Sequence, residues 1–195
     1  MAQVKVLRPG YAIWEGPVAQ RAAGTITLVK SEKNILVDTG NAQDKELIIE
    51  KLAEEGLKPE NIDFVVCTHG HSDHIGNNNL FPNATFIVSY DICNGDLFTF
   101  FSKHYQIDKN VDVISTPGHT LEDVSVKVKT PKGIVAIVGD LFEYEGDYQD
   151  GASWKPFSHN LKEHLKNRKL VWAEADYIIP GHGKMFKVNK KIKLK

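Results

Sequence analysis

The chain has 195 residues, of which 42% are hydrophobic and 25% charged, and its formal net charge at pH 7 is −1. This length suits one compact domain over residues 1–195, and the composition excludes wholesale disorder and a globally basic surface for polyanions. No run approaches the roughly 20 apolar residues of a membrane span, and the first residues lack a secretory signal. We therefore expect a cytoplasmic protein that also enters the nucleus and has no membrane partner.

Short runs typical of β-strands recur along the whole chain. They cover residues 4–7, 25–30, 34–37, 63–67, 85–88, 111–115, 124–129, 134–139 and 176–179. A helical pattern over residues 42–55 places Leu47, Ile48 and Leu52 on one face, and Gly56 ends it. This order of strands and helices indicates helices on the outer faces of β-sheets.

A second helix is predicted over residues 158–175, with Ser158 as its N-cap and an apolar stripe formed by Leu161, Leu165 and Trp172. A shorter helix is predicted to begin within CTHGHSDH (67–74) and to run to about residue 80. After about residue 187 the sequence KVNKKIKLK predicts a lysine-rich C-terminal tail.

Two apolar strands end in an aspartate, Asp38 in NILVDTG (34–40) and Asp140 in AIVGDLF (136–142). Side chains at the carboxyl ends of strands project into functional sites, so we expect both carboxylates near one rim of the molecule. The similarity between the two stretches is too short to indicate an internal duplication.

Five of the eight histidines follow strand ends beside glycine, threonine or aspartate, in the contexts THGHSDHIG, TPGHT and PGHG. A single Gly-His pair is usually only an exposed turn. Three imidazoles and a carboxylate within six residues are different, because the imidazoles repel one another on protonation unless something neutralises or coordinates them. The clustered residues are His69, His71, Asp73, His74, His119 and His182.

These residue types indicate a metal site. Neutral imidazole and carboxylate are ligands of borderline divalent ions such as zinc, and the two cysteines, Cys67 and Cys93, do not have the spacing of a thiolate site. With Asp140 the chain offers seven candidate ligands. That number is too large for one tetrahedral ion and suits two.

The same residues, in the same order, resemble the metal-binding motifs of the metallo-β-lactamase superfamily, and LVDTG resembles its first motif. The resemblance covers essentially the whole chain and implies an α+β fold, a four-layer αββα sandwich with two mixed sheets flanked by helices. It also implies that one metal is held by His69, His71 and His119, the other by Asp73, His74 and His182, and that Asp140 bridges them.

A metal pair of this kind predicts a hydrolase that uses a hydroxide bridging the two ions. The expected cofactors are two divalent ions, zinc first, with iron or manganese as alternatives. Asp73 and Asp140 are the predicted catalytic carboxylates. Asp38 is expected to hold histidines in place rather than to bind metal.

The resemblance implies an endoribonuclease that cleaves single-stranded RNA, in particular the 3′ end of histone pre-mRNA. Basic residues on the last helix (Lys162, Lys166, Arg168 and Lys169) and the tail could follow phosphates, or could be a solvated surface. The acidic loop FEYEGDYQD (142–150) would repel a polyanion. Trp14, in the segment 10–24, is a candidate substrate platform on a flap.

Other activities stay open. A thioesterase or lactone hydrolase of the glyoxalase type is the main alternative, although only 13 residues follow His182, too few for the helical domain of those enzymes. A mononuclear iron persulfide dioxygenase would leave the second ligand set without a role.

A homodimer is one candidate assembly. Cys67 is expected in the core, and His104, His159 and His164 on the surface or in packing.

Overall fold

The computed structural model describes residues 1–194. The first sheet and its hairpin are formed by β1 (Gln3–Arg8), β2 (Tyr11–Trp14), β3 (Gln20–Ala23), β4 (Ile26–Lys30), β5 (Asn34–Val37), β6 (Phe64–Cys67), β7 (Thr85–Val88), β8 (Asp91–Asn94) and β9 (Leu97–Phe100). The second sheet is formed by β10 (His104–Asp108), β11 (Val111–Ser115), β12 (Val124–Thr130), β13 (Gly133–Gly139), β14 (Tyr177–Pro180) and β15 (Phe186–Lys187). The α-helices are α1 (Lys45–Glu54), α2 (Ser72–Ile75) and α3 (Leu161–Glu174). Short 3-10 turns cover Ala42–Asp44, Pro59–Asn61, Asn78–Leu80 and Lys155–Phe157.

Two mixed sheets organise the molecule. The first has the strand order β1-β4-β5-β6-β7-β8-β9, and the second has the order β10-β11-β12-β13-β14-β15. The strands β5, β6 and β7 are parallel neighbours, as are β13 and β14. The strands β2 and β3 form a separate two-stranded hairpin.

Alternation along each strand divides its apolar residues between the layer that separates the two sheets and the outer layer next to a helix. On β11, Val113 packs between the two sheets, whereas Ile114 faces the layer that contains α3. On the first sheet, Val66 faces the inner layer and Val65 packs with residues of α1. The predicted αββα sandwich is thus confirmed, with one helix layer on each outer face.

The last helix differs from its prediction. Its N-cap is Asn160, whose side chain accepts a hydrogen bond from the Glu163 amide, and not Ser158. Leu161 is exposed, and the buried face instead includes His164, Arg168 and Trp172. The predicted apolar stripe was therefore wrong at Leu161. Beneath the helix lies a buried ion pair formed by Arg168 instead of an apolar contact.

That pair joins Arg168 to Asp147. Both side chains are almost fully buried, and the guanidinium donates to both carboxylate oxygens, at 2.7 and 3.0 Å. The guanidinium also lies over the rings of Phe142 and Trp154. Arg168 is consequently not part of a basic surface, and both roles considered for it, following phosphates or forming a solvated helix surface, were wrong.

The C-terminal segment folds back instead of forming a free tail. Phe186 and Lys187 pair with β14, and Val188 is buried beneath α3. Lys190 donates to main-chain carbonyls at the end of α3, including that of Trp172. Among the residues that the structure describes, no helix is long and apolar enough to cross a membrane.

Candidate metal centre

The candidate ligands meet because parallel strands bring their carboxyl ends to one edge. Asp38 follows β5, and His69 follows β6 after Thr68. Asp140 follows β13 directly, and His182 follows β14. The two edges touch across the sandwich, where the amide of Val124 donates to the carbonyl of Thr68.

The structure brings all seven sequence-predicted ligands together. Ligand atoms of His69, His71, His119 and Asp140 lie within 4.8 Å of one another, and so do those of Asp73, His74 and His182. Asp140 connects the two groups, since its carboxylate lies 3.4 Å from His119 Nε2 and 3.3 Å from His182 Nε2. Each group could hold one metal ion.

Asp38 lies beneath the ligands and orders them. Its carboxylate accepts hydrogen bonds from the Thr68 amide at 2.7 Å, from the Thr68 hydroxyl at 2.9 Å and from His74 Nδ1 at 2.8 Å. The backbone φ of Asp38 is +59°, a conformation that non-glycine residues seldom adopt. These contacts orient the His74 ring so that its Nε2 faces the other ligands.

Outer hydrogen bonds assign the tautomers of two further histidines. The Thr68 hydroxyl donates to Asp38, so it can accept from His69 Nδ1 at 3.2 Å. His182 Nδ1 donates to the carbonyl of Ala23 at 3.3 Å. In each ring Nε2 is therefore the atom that faces the site. His69 offers a lone pair there, whereas Asp140 outweighs burial and raises the pKa of His182 to about 9, so a cation would displace the proton on its Nε2.

The donor set fits divalent cations. In the part of the chain that the structure describes, four buried side-chain atoms of the cluster make no hydrogen bond: Asp73 Oδ2, His74 Nε2, His119 Nδ1 and Asp140 Oδ1. Buried polar atoms are nearly always partnered, and three of these four belong to groups that could hold a metal through them. A cation among them would satisfy atoms that are otherwise left without a partner.

The carboxylates and imidazoles also perturb one another. Burial alone would raise the pKa of Asp140, but the charges of the His74 and His182 imidazoles outweigh it and hold the pKa well below the ordinary aspartate range. Burial lowers the pKa of His69 well below that of a free imidazole, so its ring is neutral. An ionised Asp140 and a neutral His69 are the protonation states in which these two side chains can bind a metal.

Two residues near the site were missed by sequence reasoning. Glu143 Oε2 lies 3.9 Å from His182 Nε2, and Glu143 can join a third ligand group with Asp140 and His182. Asp123 accepts from the amides of Gly118 and Thr120 and thereby shapes the loop that presents His119. The signal was available, since Glu143 stands three residues after Asp140 and Asp123 four after His119.

The ligands open into a cavity of about 580 Å³. The hairpin of β2 and β3 contributes Trp14 and Gln20 to the lining of this cavity, which also includes Tyr144 and Phe157. Trp14 stacks on Phe157, with ring centroids 6.0 Å apart. No lysine or arginine lines this cavity among the described residues.

The remaining cysteines and histidines lie outside the cluster. Cys67 is buried in the core beneath α1, as predicted. His104 is exposed and contacts Asp112. His159 is exposed, whereas His164 is fully buried under the loop of His119.

Buried His164 should make folding sensitive to acid. Its neutral ring donates from Nε2 to the carbonyl of Leu141 and accepts at Nδ1 from the Ser158 hydroxyl. Burial first, and then the charge of Arg168, lowers its pKa to about 4 from 6.5. The unfolded chain therefore binds an additional proton between these values, and stability is lost as the pH falls from about 6.5 towards 4.

We expect His164 to contribute on the order of 2 kcal/mol to this loss. Urea unfolding at pH 7 and pH 5 measures it, as the difference in free energy between wild type and His164→Gln. Exposed His159→Gln is the matched control and should retain the wild-type pH dependence. A His164→Gln variant with unchanged pH dependence contradicts the assignment.

Gly181 should be irreplaceable for steric reasons. A Cβ there would lie 1.8 Å from Asp140 Oδ1 and 2.8 Å from the main chain of Gly139. Gly181→Ala must displace the Asp140 carboxylate, so we expect loss of bound metal by elemental analysis. Gly70→Ala is the control, since a Cβ there meets nothing within 4 Å. Equal metal content in both variants argues against this packing.

Comparison with known proteins identifies the class. Residues 20–92 match the model of the metallo-β-lactamase superfamily. A Thermotoga maritima structure assigned as a metallo-β-lactamase superposes with a TM-score of 0.74 at 23% identity, covering 95% of this chain and 99% of that one. A structure of an N-acyl homoserine lactone hydrolase, with its product at the catalytic metal centre, gives a TM-score of 0.70 at 18% identity over 93% and 92% of the two chains.

The chain belongs to the metallo-β-lactamase superfamily, as a metallo-hydrolase, and the resemblance seen in its motifs is confirmed. Within the superfamily it is similar to metallo-β-lactamase domain-containing protein 1. The Xenopus laevis protein of that name is 38% identical over 194 residues, which cover 96% of this chain and 82% of the relative. The human protein of that name is 36% identical over 220 residues, covering 95% and 82%.

Proposed function

We propose that the chain is a hydrolase with two divalent cations that cleaves single-stranded RNA. One observation supports this most directly: Asp140 lies between two groups of ligand atoms at the base of a cavity whose rim carries exposed Trp14, Phe157 and Tyr144. Aromatic rings stack on the faces of unpaired bases without regard to sequence, and a metal pair suits a phosphodiester.

The proposed ligands of one cation are His69, His71 and His119, and those of the other are Asp73, His74 and His182, with Asp140 shared. Zinc is the first candidate for both, with iron and manganese as alternatives. When bound, such cations polarise the scissile group and make water a nucleophile at neutral pH.

The chain's own residues have three further roles in this proposal. Asp38 and Thr68 hold the histidines in the tautomer that presents Nε2 to the site. Asp73, whose side chain is 17% exposed, reaches the cavity and accepts the proton of the attacking water. The aromatic rim binds the substrate.

A second candidate is hydrolysis of an ester, thioester or lactone. It is favoured by the absence of lysine and arginine from the described cavity wall, because an RNA strand is usually followed by basic side chains. The cavity volume also suits a small molecule. On this alternative Trp14 and Phe157 would contact an acyl chain instead of a base.

A direct comparison of substrates tests the proposal. Metal-loaded protein is assayed on single-stranded RNA, single-stranded DNA, a thioester and a lactone, with Asp140→Asn as the contamination control. We expect RNA cleavage that disappears in the variant and weakens in Trp14→Ala. RNA cleavage that persists in Asp140→Asn, or that is slight beside rapid ester turnover, overturns the choice of RNA.

A further inference from the structure

Glu143 is held rigidly beside the candidate metal centre. Its amide donates to Asp147 Oδ2 at 2.6 Å, and its carbonyl accepts from the His182 amide at 2.8 Å. With the main chain fixed on both sides, its carboxylate extends towards the His182 ring. The buried pair of Asp147 with Arg168 anchors this arrangement from below.

Within the described residues, the basic group that approaches the Glu143 carboxylate is the His182 ring, whose Nε2 lies 3.9 Å away. The Glu143 side chain is only 12% exposed, and no lysine or arginine of the described chain lies within 4.0 Å of it. One oxygen of that carboxylate lies within 4.8 Å of a ligand oxygen of Asp140 and of a ring nitrogen of His182. A buried carboxylate in this position needs a cation or a proton to compensate its charge.

Buried side-chain atoms of other residues also lack hydrogen bonds on this side of the candidate metal centre. His74 Nε2 is buried and lies 3.3 Å from Asp140 Oδ1, and neither atom makes a hydrogen bond within the described chain. Asp73 Oδ2 is likewise buried without a hydrogen bond and lies 3.9 Å from His182 Nε2. Three carboxylates and two imidazoles therefore surround this half of the centre.

The other half is chemically different. Around His69, His71 and His119 the only neighbouring carboxylate that could share a cation is Asp140, judged over the described residues. Nitrogen-rich sites suit zinc, whereas carboxylate-rich sites suit harder ions such as manganese. The two positions thus offer different donor sets although they share Asp140.

We propose that Glu143 is a third carboxylate ligand of the cation held by Asp73, His74 and His182, and that it gives this position a preference for a hard ion such as Mn²⁺. The histidine-rich position retains zinc. This inference rests on the proposed two-cation centre and adds one ligand and a metal preference to it.

Calorimetric titration of the chelator-treated full chain with MnCl₂ and with ZnCl₂ tests this inference. Glu143→Gln removes the charge with little change of shape, and we expect its Mn²⁺ affinity to fall by about 10- to 100-fold while zinc at the tighter position binds as in wild type. Exposed Glu145→Gln, in the same loop, changes the same charge and should match wild type for both ions. Circular dichroism verifies folding, and Glu143→Asp, which keeps the charge, should retain part of the affinity.

The outcomes separate the two proposals. If wild type binds two ions and Glu143→Gln binds Mn²⁺ within twofold of wild type, Glu143 is not a ligand and the inference is overturned, while the two-cation centre stands. If wild type binds no divalent ion, the proposed function itself fails and the inference fails with it. If Glu145→Gln weakens Mn²⁺ binding as much as Glu143→Gln does, the effect is general electrostatics and the inference is again overturned.

Discussion

Asparagine in place of Asp140 should lower kcat/KM by about 10³-fold and remove most bound metal, because it neutralises the carboxylate that lies between the two ligand groups. The variant keeps the shape of the side chain, so the fold should persist. Circular dichroism checks the fold, and elemental analysis and steady-state kinetics measure the loss.

Asp38→Asn is the matched comparison. It removes the same charge from a residue that contacts a candidate ligand, His74, but is not a candidate ligand itself. Asp38 supports His74 and Thr68 by hydrogen bonds but offers no atom to either ligand group. Residues that orient ligands typically contribute about 10- to 100-fold, so we expect a smaller loss than in Asp140→Asn. Equal loss of metal in the two variants would show that this ranking of the aspartates is wrong.

Methionine in place of Arg168 should lower the free energy of unfolding by about 3–5 kcal/mol, since it leaves the buried carboxylate of Asp147 without its partner. The guanidinium also donates to the carbonyl of Leu141 at 2.7 Å, and Asp147 accepts from the amide of Glu143. The pair therefore stabilises the segment that follows the bridging Asp140, and metal affinity should weaken with it.

The double variant Arg168→Met/Asp147→Leu distinguishes the pair from simple packing. Removing both charges abolishes the unpaired carboxylate, so most of the lost stability should return. Chemical denaturation of wild type, both single variants and the double variant gives the coupling energy. A double variant no more stable than Arg168→Met contradicts the role assigned to the ion pair.

The sequence predicted which side chains meet at the site, because several of them directly follow a strand end. Asp38, His69, Asp140 and His182 all stand one or two residues beyond apolar strands, and parallel pairing then brings their side chains to one edge. The same regularity predicted the core strands, whose β-branched residues alternate between two buried layers. Local sequence patterns were therefore sufficient to predict the position of a side chain that lies in a strand or directly follows one.

The sequence did not predict features that depend on distant partners. The sequence predicts Arg168 as a surface charge on a helix, because no local pattern indicates that its partner Asp147, 21 residues earlier, lies beneath the helix. Glu143 reads as part of an acidic loop, although its main-chain bond to His182 turns it towards the ligands. The lysines after residue 187 suggested a free tail because Val188 gives too weak an apolar signal to predict its burial against α3.

Metal stoichiometry of the purified full chain tests the central claim most directly. Inductively coupled plasma mass spectrometry, after reconstitution and removal of loosely bound ions, should find two divalent transition-metal ions per chain and a large loss in Asp140→Asn. Less than one ion per chain, with no gain on reconstitution, would contradict the two-cation centre on which the proposed hydrolysis depends.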